Sequence, residues 1–231
     1  MQHSHQGQQP GFLFYDYETF GINPAYDRIA QFGAIRTDKN LELQDEPEVF
    51  YCQPGADTLP HPDACILTKI TPQLAWSRGM NEWEFAARIN ELMSYPDTCT
   101  LGYNNFRFDD EFTRYLFFRN GIDPYAREYK NGNSRFDVID LIRLCYSLRP
   151  GGIHWPMHED NIPSFKLEDL TKANGIEHGQ AHDALADVYA TIELAKIIKD
   201  KQPRLWSWAL GLRDKYQVQD LVNQGQPLVH S

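Results

Sequence analysis

No stretch of the 231 residues approaches the roughly 18–20 consecutive apolar residues that a membrane-spanning helix needs, so no membrane anchor is expected. The N-terminal residues 1–11 are polar and lack the apolar centre of a secretory signal. Cysteine is scarce. Cys52, Cys65, Cys99 and Cys145 stand far apart without a Cys-x-x-Cys pair, which argues against a disulfide scaffold or a cysteine zinc site and suits a reducing cytoplasm. Internal repeats are missing, and there is no low-complexity stretch beyond the tail. What remains is a globular balance of 42% hydrophobic and 23% charged residues, enough for one large domain, or one domain with a short tail.

Positive charge is also short overall. The formal net charge of -10 opposes a polyanionic partner, because phosphate binding draws on Lys and Arg. Its distribution is uneven: residues 101–150 hold 8 Lys and Arg against 7 Asp and Glu, and 11 of the 30 aromatic residues. Arginines interleaved with rings in that segment suit a groove that follows a single strand and stacks its bases. An amphipathic helix with buried rings and solvated arginines explains the same pattern, and on composition alone is the better reading.

Alternation and turn signals place strands over residues 12–17, 28–37 and 47–53, an antiparallel meander with a turn at Asp38-Lys39-Asn40. Thr71-Pro72 starts a helix with Thr as N-cap and Pro in the first turn. Helical periodicity follows over 81–93, a short strand over 98–103, and a helix over 109–119 that closes at Gly121. Residues 136–148 read as another amphipathic helix and 151–163 as a loop. Ser164 can cap a helix running to Asn174-Gly175, and 183–199 form a long helix with Asp183 as cap. A helix and a loose end follow Pro203. Strands first, then helices alternating with a strand, imply an α/β domain with a mixed sheet covered by helices. The expected division is a tail at 1–11, a main domain at 12–202, and a C-terminal helix with a loose end at 203–231.

The chemistry concentrates in three acidic segments. In Phe14-Tyr15-Asp16-Tyr17-Glu18-Thr19, positions i and i+2 of a strand put Asp16 and Glu18 on one face, in line with Phe12 and Phe14. Acids continuing an apolar stripe need a neutraliser, and a hard cation such as Mg²⁺ or Mn²⁺ is a natural one. A strand end turning into solvent needs none. In Asn105-Phe106-Arg107-Phe108-Asp109, the acid stands where a strand yields to a helix; Asp109 and Asp110 equally qualify as N-caps. In Ala181-His182-Asp183-Ala184-Leu185-Ala186-Asp187, the small neighbours of Asp187 predict close packing. His182 just before that helix can exchange protons near neutrality, though a lone histidine is more often a surface residue.

As an ordered set, Asp-x-Glu, Asn-x-x-Phe-Asp and His-x-x-x-x-Asp resemble the DEDDh exonucleases of the ribonuclease H-like fold. Within them, residues 12–21, 101–111, 170–178 and 181–191 are similar to bacterial exonuclease I, a resemblance that covers roughly residues 11–231. It implies a 3′–5′ exonuclease that degrades single-stranded DNA to 5′-mononucleotides with Mg²⁺, two ions per site, Mn²⁺ substituting, in DNA repair. It implies Asp16, Glu18, Asp109 and Asp187 as metal ligands and His182 as general base. Implied substrate contacts are Glu18, Thr19, Phe20, Phe106, Arg107, Arg114, Tyr125, Tyr129, Arg143 and Lys166. A cytoplasmic monomer acting at DNA 3′ ends, with single-strand-binding protein as a partner, is the family expectation.

Two departures stand out. Family members continue into an SH3-like and a helical domain, whereas this sequence stops near Pro227-Leu228-Val229-His230, which implies a catalytic-domain fragment or a minimal form of reduced processivity. Lys166 occupies a position where the resemblance implies arginine; it keeps the charge but loses the bidentate fork. Three other readings stay open: an exoribonuclease acting on short RNA or tRNA ends, a non-catalytic nucleic-acid-binding module, and a zinc protein using His154 with His158 or His178 with His182. The first histidine pair brackets Trp155-Pro156, which breaks helical spacing.

Overall fold

The computed structural model describes residues 11–177, 179 and 183–225. Three strands open the chain: β1 (Phe12–Thr19), β2 (Ile29–Thr37) and β3 (Glu48–Tyr51). Helices α1 (Pro62–Thr68), α2 (Pro72–Arg78) and α3 (Glu82–Met93) lead to β4 (Cys99–Gly102) and α4 (Asp109–Arg119). Then follow β5 (Ser134–Asp137), α5 (Val138–Leu148), α6 (Leu167–Ala173), α7 (Ala184–Lys201), α8 (Pro203–Gly211) and α9 (Lys215–Asn223).

The five strands form one mixed sheet in the order β3-β2-β1-β4-β5, with β1, β2 and β3 antiparallel and β4 and β5 parallel to β1. Strand β1 is central, and its alternation sorts the core into two layers. Phe12 and Phe14 face a cluster built from α5, α7 and α8, including Leu141, Val188 and Leu205. Leu13, Tyr15 and Tyr17 face the other, with Phe85 and Ile89 of α3 and Phe112 and Leu116 of α4. Helices therefore cover both faces, the architecture expected from the order of elements.

The caps at Thr71 and Asp183 form as read: Thr71 Oγ1 accepts the Leu74 N–H at 3.1 Å, and Asp183 Oδ1 accepts the N–H groups of Leu185 and Ala186. Other expectations need correction. The apolar run 136–148 is not one helix. Ser134–Asp137 pairs with β4, and Asp137 turns the strand into α5 by accepting the Ile139 N–H at 3.1 Å. Ser164 is not the cap of α6; that position falls to Lys166, which has no side-chain cap bond, while the Ser164 hydroxyl is held by Asp169. Helix α1 escaped the periodicity argument because it buries no residue. The tail after Pro203 forms two helices, and the first belongs to the main core: Leu205, Trp206 and Ala209 are buried, with Trp206 edge-on to Phe12 at 6.2 Å. The loose end at 227–231 lies outside the described residues. No helix among the described residues is long and apolar enough to cross a membrane.

Candidate active site

Strand β1 carries the apolar stripe of Phe12 and Phe14 directly into Asp16 and Glu18, so two carboxylates emerge at the end of a packed layer. Across the antiparallel ladder, Asp16 faces Gly33 and Glu18 faces Gln31. Directly opposed residues share a face of the sheet, and glycine at 33 leaves that face bare beside Asp16. The start of α7 fills the gap: a Cβ at position 33 would stand 2.8 Å from the Leu185 nitrogen and 2.9 Å from the Ala184 carbonyl carbon. Gln31 adds a tie, its Oε1 accepting the Ala184 N–H at 3.3 Å. The close seat of this first helical turn brings Asp187 over β1. One carboxylate oxygen each from Asp16, Glu18 and Asp187 lies within 4.8 Å of the others.

Asp109 reaches the same cleft from α4. Neither it nor Asp110 is the helix N-cap, a position taken by Phe108. Instead, Asp109 Oδ1 accepts the Tyr17 backbone N–H at 3.2 Å, which ties the helix start to the strand between the first two acids. Asp16, Glu18, Asp109 and Asp187 line one open cleft of about 960 Å³ together with Thr19, Arg143 and Lys166.

The electrostatics of the cleft are lopsided. Burial lifts the Asp16 carboxyl well above the usual range, and repulsion from Asp109, Glu18 and Asp187 adds to it. Burial, then Asp187, Asp109 and Asp183, push Glu18 up to about 8. Asp109 is raised first by burial and then by Asp110. Acids held in this way stay neutral only by keeping protons or by gaining a cation. An all-oxygen set of carboxylates is the donor chemistry of a hard divalent ion, so these residues fit a divalent metal centre.

Several implied substrate contacts fall elsewhere. Phe20 is buried in a small cluster with Ala30, Ile70 and Ala75, so its ring has no face left for a base and that assignment is withdrawn. Phe106 and Tyr129 line a second groove of about 950 Å³ bounded by β5, α5 and the α8–α9 junction. Arg107 pairs with Asp140 at 3.1 Å, and Arg114 pairs with Glu111 and Glu128 while lying over the exposed Tyr125 ring. His182 and His178 lie outside the described residues, and the metal-fit group found among the described residues contains no histidine, His154 and His158 included. The cleft also holds residues that the motif reading missed. His61 and Asp63 come from the start of α1, where proline in the first turn of a helix was the available signal. Tyr103, whose hydroxyl donates to the Phe165 carbonyl at 2.7 Å, closes another wall.

Comparison with known proteins gives the family and the fold. The RNase_T family model, described as Exonuclease, matches residues 13–195. Exodeoxyribonuclease I of Escherichia coli (strain K12) is 57% identical over 225 residues, covering 96% of this chain and 47% of the relative. The crystal structure of E. coli Exonuclease I in complex with a dA16 oligonucleotide superposes with a TM-score of 0.91 at 58% identity, over 92% of this chain and 46% of that one. The zinc-ion-bound form of the E. coli ExoI–ssDNA complex gives 0.89 at 58% identity, over 92% and 45%. The chain spans about half the length of the curated relatives it matches.

Proposed function

The chain belongs to the RNase_T exonuclease family and has its ribonuclease H-like fold, and from that premise we propose that it is a 3′–5′ exonuclease which hydrolyses single-stranded DNA to 5′-mononucleotides, acting in DNA repair. The observation that carries this reading is the convergence of Asp16, Glu18 and Asp187, with Asp109 beside them, in one cleft. The DNA preference is supported by the likeness to a protein crystallised with single-stranded DNA.

Asp16, Glu18 and Asp187 would hold one divalent ion, and Asp16 with Asp109 a second; Mg²⁺ is the ion proposed, with Mn²⁺ able to replace it. When bound, such ions supply charge compensation for phosphoryl oxygens and activation of water. The protein residues do the rest. Tyr17, through its backbone N–H, orients Asp109, and Gly33 with Gln31 seats the helix that presents Asp187. His182, the residue before Asp183 in the sequence, would take the proton of the attacking water on an imidazole nitrogen. Arg143 and Lys166 on the cleft wall would bind the phosphates next to the scissile bond. A cytoplasmic setting is supported by four unbridged cysteines; monomeric action and contact with single-strand-binding protein are proposed from the family likeness.

Digestion of 3′-labelled single-stranded DNA, duplex DNA and RNA with Mg²⁺ tests the reading. Mononucleotide release from single-stranded DNA is the expected result. Release from RNA alone would assign an exoribonuclease, and binding without product a non-catalytic module.

A further inference from the structure

Beside Asp109 stands an acid for which the proposed chemistry has no use. Asp110 is fully buried and does not line the cleft. Its Oδ1 accepts the Tyr15 hydroxyl at 2.6 Å and Arg127 Nη2 at 2.5 Å, and its Oδ2 accepts Arg135 Nη1 at 2.6 Å. Arg127, itself fully buried, also reaches Thr100 Oγ1 of β4 at 3.3 Å. This one carboxylate thus joins α4 to β1 through Tyr15, to β4 through Arg127 and to β5 through Arg135. Tyr15 is the chain neighbour of Asp16, and Asp110 is the chain neighbour of Asp109. The clamp therefore holds, back to back, the two backbone segments that carry facing acids of the cleft.

We propose that Asp110, locked by Arg127 and Tyr15, is a positioning residue that sets Asp109 against Asp16 at the distance metal binding requires. The proposal rests on the nuclease reading of the cleft. An interior selected for stability alone has little reason to keep this ion pair, because well-packed apolar groups in its place are often neutral or stabilising. The pair is retained even though Arg127 Nε has no partner, and Asn105 at the turn before α4 has neither amide atom satisfied. Such residues fix a geometry at some cost to stability.

The test uses three variants and two readouts, kinetics on a short oligonucleotide and Mn²⁺ binding to the DNA-free protein. Asp110→Asn strands the Arg127 charge and is expected to lower kcat about 100-fold with little change in KM, and to weaken Mn²⁺ binding roughly 10–100-fold. The double variant Asp110→Asn/Arg127→Met removes the stranded charge, so the melting temperature recovers while kcat and Mn²⁺ affinity do not. Tyr15→Phe removes one hydroxyl and no charge, folds, and lowers kcat and Mn²⁺ affinity roughly three- to tenfold. Wild-type kcat and Mn²⁺ affinity in both the double variant and Tyr15→Phe would overturn the proposal. Asp109→Asn separates the two readings. If it abolishes cleavage while the double variant behaves as wild type, only the positioning role falls; if it cleaves at the wild-type rate, Asp109 is no metal ligand and the positioning role falls with it; if the wild-type protein itself releases no nucleotide, the nuclease reading falls.

Discussion

Removing divalent metal should make this protein lose stability as pH rises, the reverse of ordinary carboxylate behaviour. Glu18 shows why. Its carboxyl is raised from 4.5 to about 8 in the fold, so between those values the native state keeps a proton that the unfolded chain has released. The unfolded state then binds fewer protons, and stability falls with pH across that window. A rise of about 3.5 at 1.36 kcal/mol each sets a ceiling of ~5 kcal/mol. Water and counter-ions entering the open cleft bring this to ~2–3 kcal/mol. At 2–4 °C per kcal/mol for a chain of this size, the metal-free melting temperature should drop by roughly 5–10 °C between pH 5.5 and pH 8.5. Asp16 and Asp109 shift in the same direction and deepen the drop. Thermal unfolding by circular dichroism, in EDTA and in millimolar Mn²⁺, reads the effect. Mn²⁺ should restore the high-pH stability, and Glu18→Gln in EDTA should flatten the slope. A metal-free melting temperature that stays level or climbs over this range, with Glu18→Gln indistinguishable from wild type, would refute the reasoning.

Five substitutions have further expected outcomes. Gly33→Ala drives a methyl into the backbone of Ala184 and Leu185; it should cost ~1–3 kcal/mol in denaturant unfolding and weaken Mn²⁺ binding by displacing Asp187. His182→Ala should lower turnover ~10²–10⁴-fold while leaving Mn²⁺ and oligonucleotide binding near wild type, and Asp16→Ala should abolish cleavage, both read in the mononucleotide-release assay. Lys166→Arg restores a bidentate donor on the cleft wall and should lower KM for single-stranded DNA roughly two- to tenfold, measured by steady-state kinetics. Trp206→Ala empties a buried site against Phe12 and should cost ~3–5 kcal/mol, which urea unfolding would show as loss of the whole domain rather than of a detachable tail.

The readable and the hidden parts of the molecule divide along the range of the interactions involved. Asp16 and Glu18 were legible because alternation on a strand is local, and the Phe12–Phe14 stripe already fixes which face they share. Asp183 and Thr71 were legible as caps for the same reason. Gly33 was not, since its role is to let a helix 150 residues further on approach the strand, and a bare position gives no sign of its future neighbour. Strand β5 was hidden because four residues with a single buried member run straight into the apolar period of α5. Helix α1 buries nothing, so no period could reveal it. The arginine-and-ring segment, read on composition as buried rings with solvated arginines, differs in its arginines. Arg127 is buried beneath the sheet, and Arg114 and Arg135 both answer Glu128. Much of the local positive charge is spent on internal acids, a pairing that a count of charges cannot distinguish from a surface for DNA.

That internal pairing explains how two consecutive acids at one helix start come to behave oppositely. Burial alone would raise both. At Asp110 the Arg127 guanidinium, with hydrogen bonds from Tyr15, Arg127 and Arg135, outweighs burial and holds the carboxyl below its usual range. At Asp109 burial is reinforced by Asp110, and backbone N–H groups are the only lowering influence among its principal causes. The fold therefore spends its cations on the acid it keeps as structure and withholds them from the acid it shows to the cleft. Arg143, a cation that does line the cleft, leans on Asp140 at 3.3 Å. Lys166 lines the cleft as well, yet the converging acids still call for more positive charge: protons supply it while the raised carboxyls keep them, Glu18 up to about 8, and a divalent ion can supply it above that pH too.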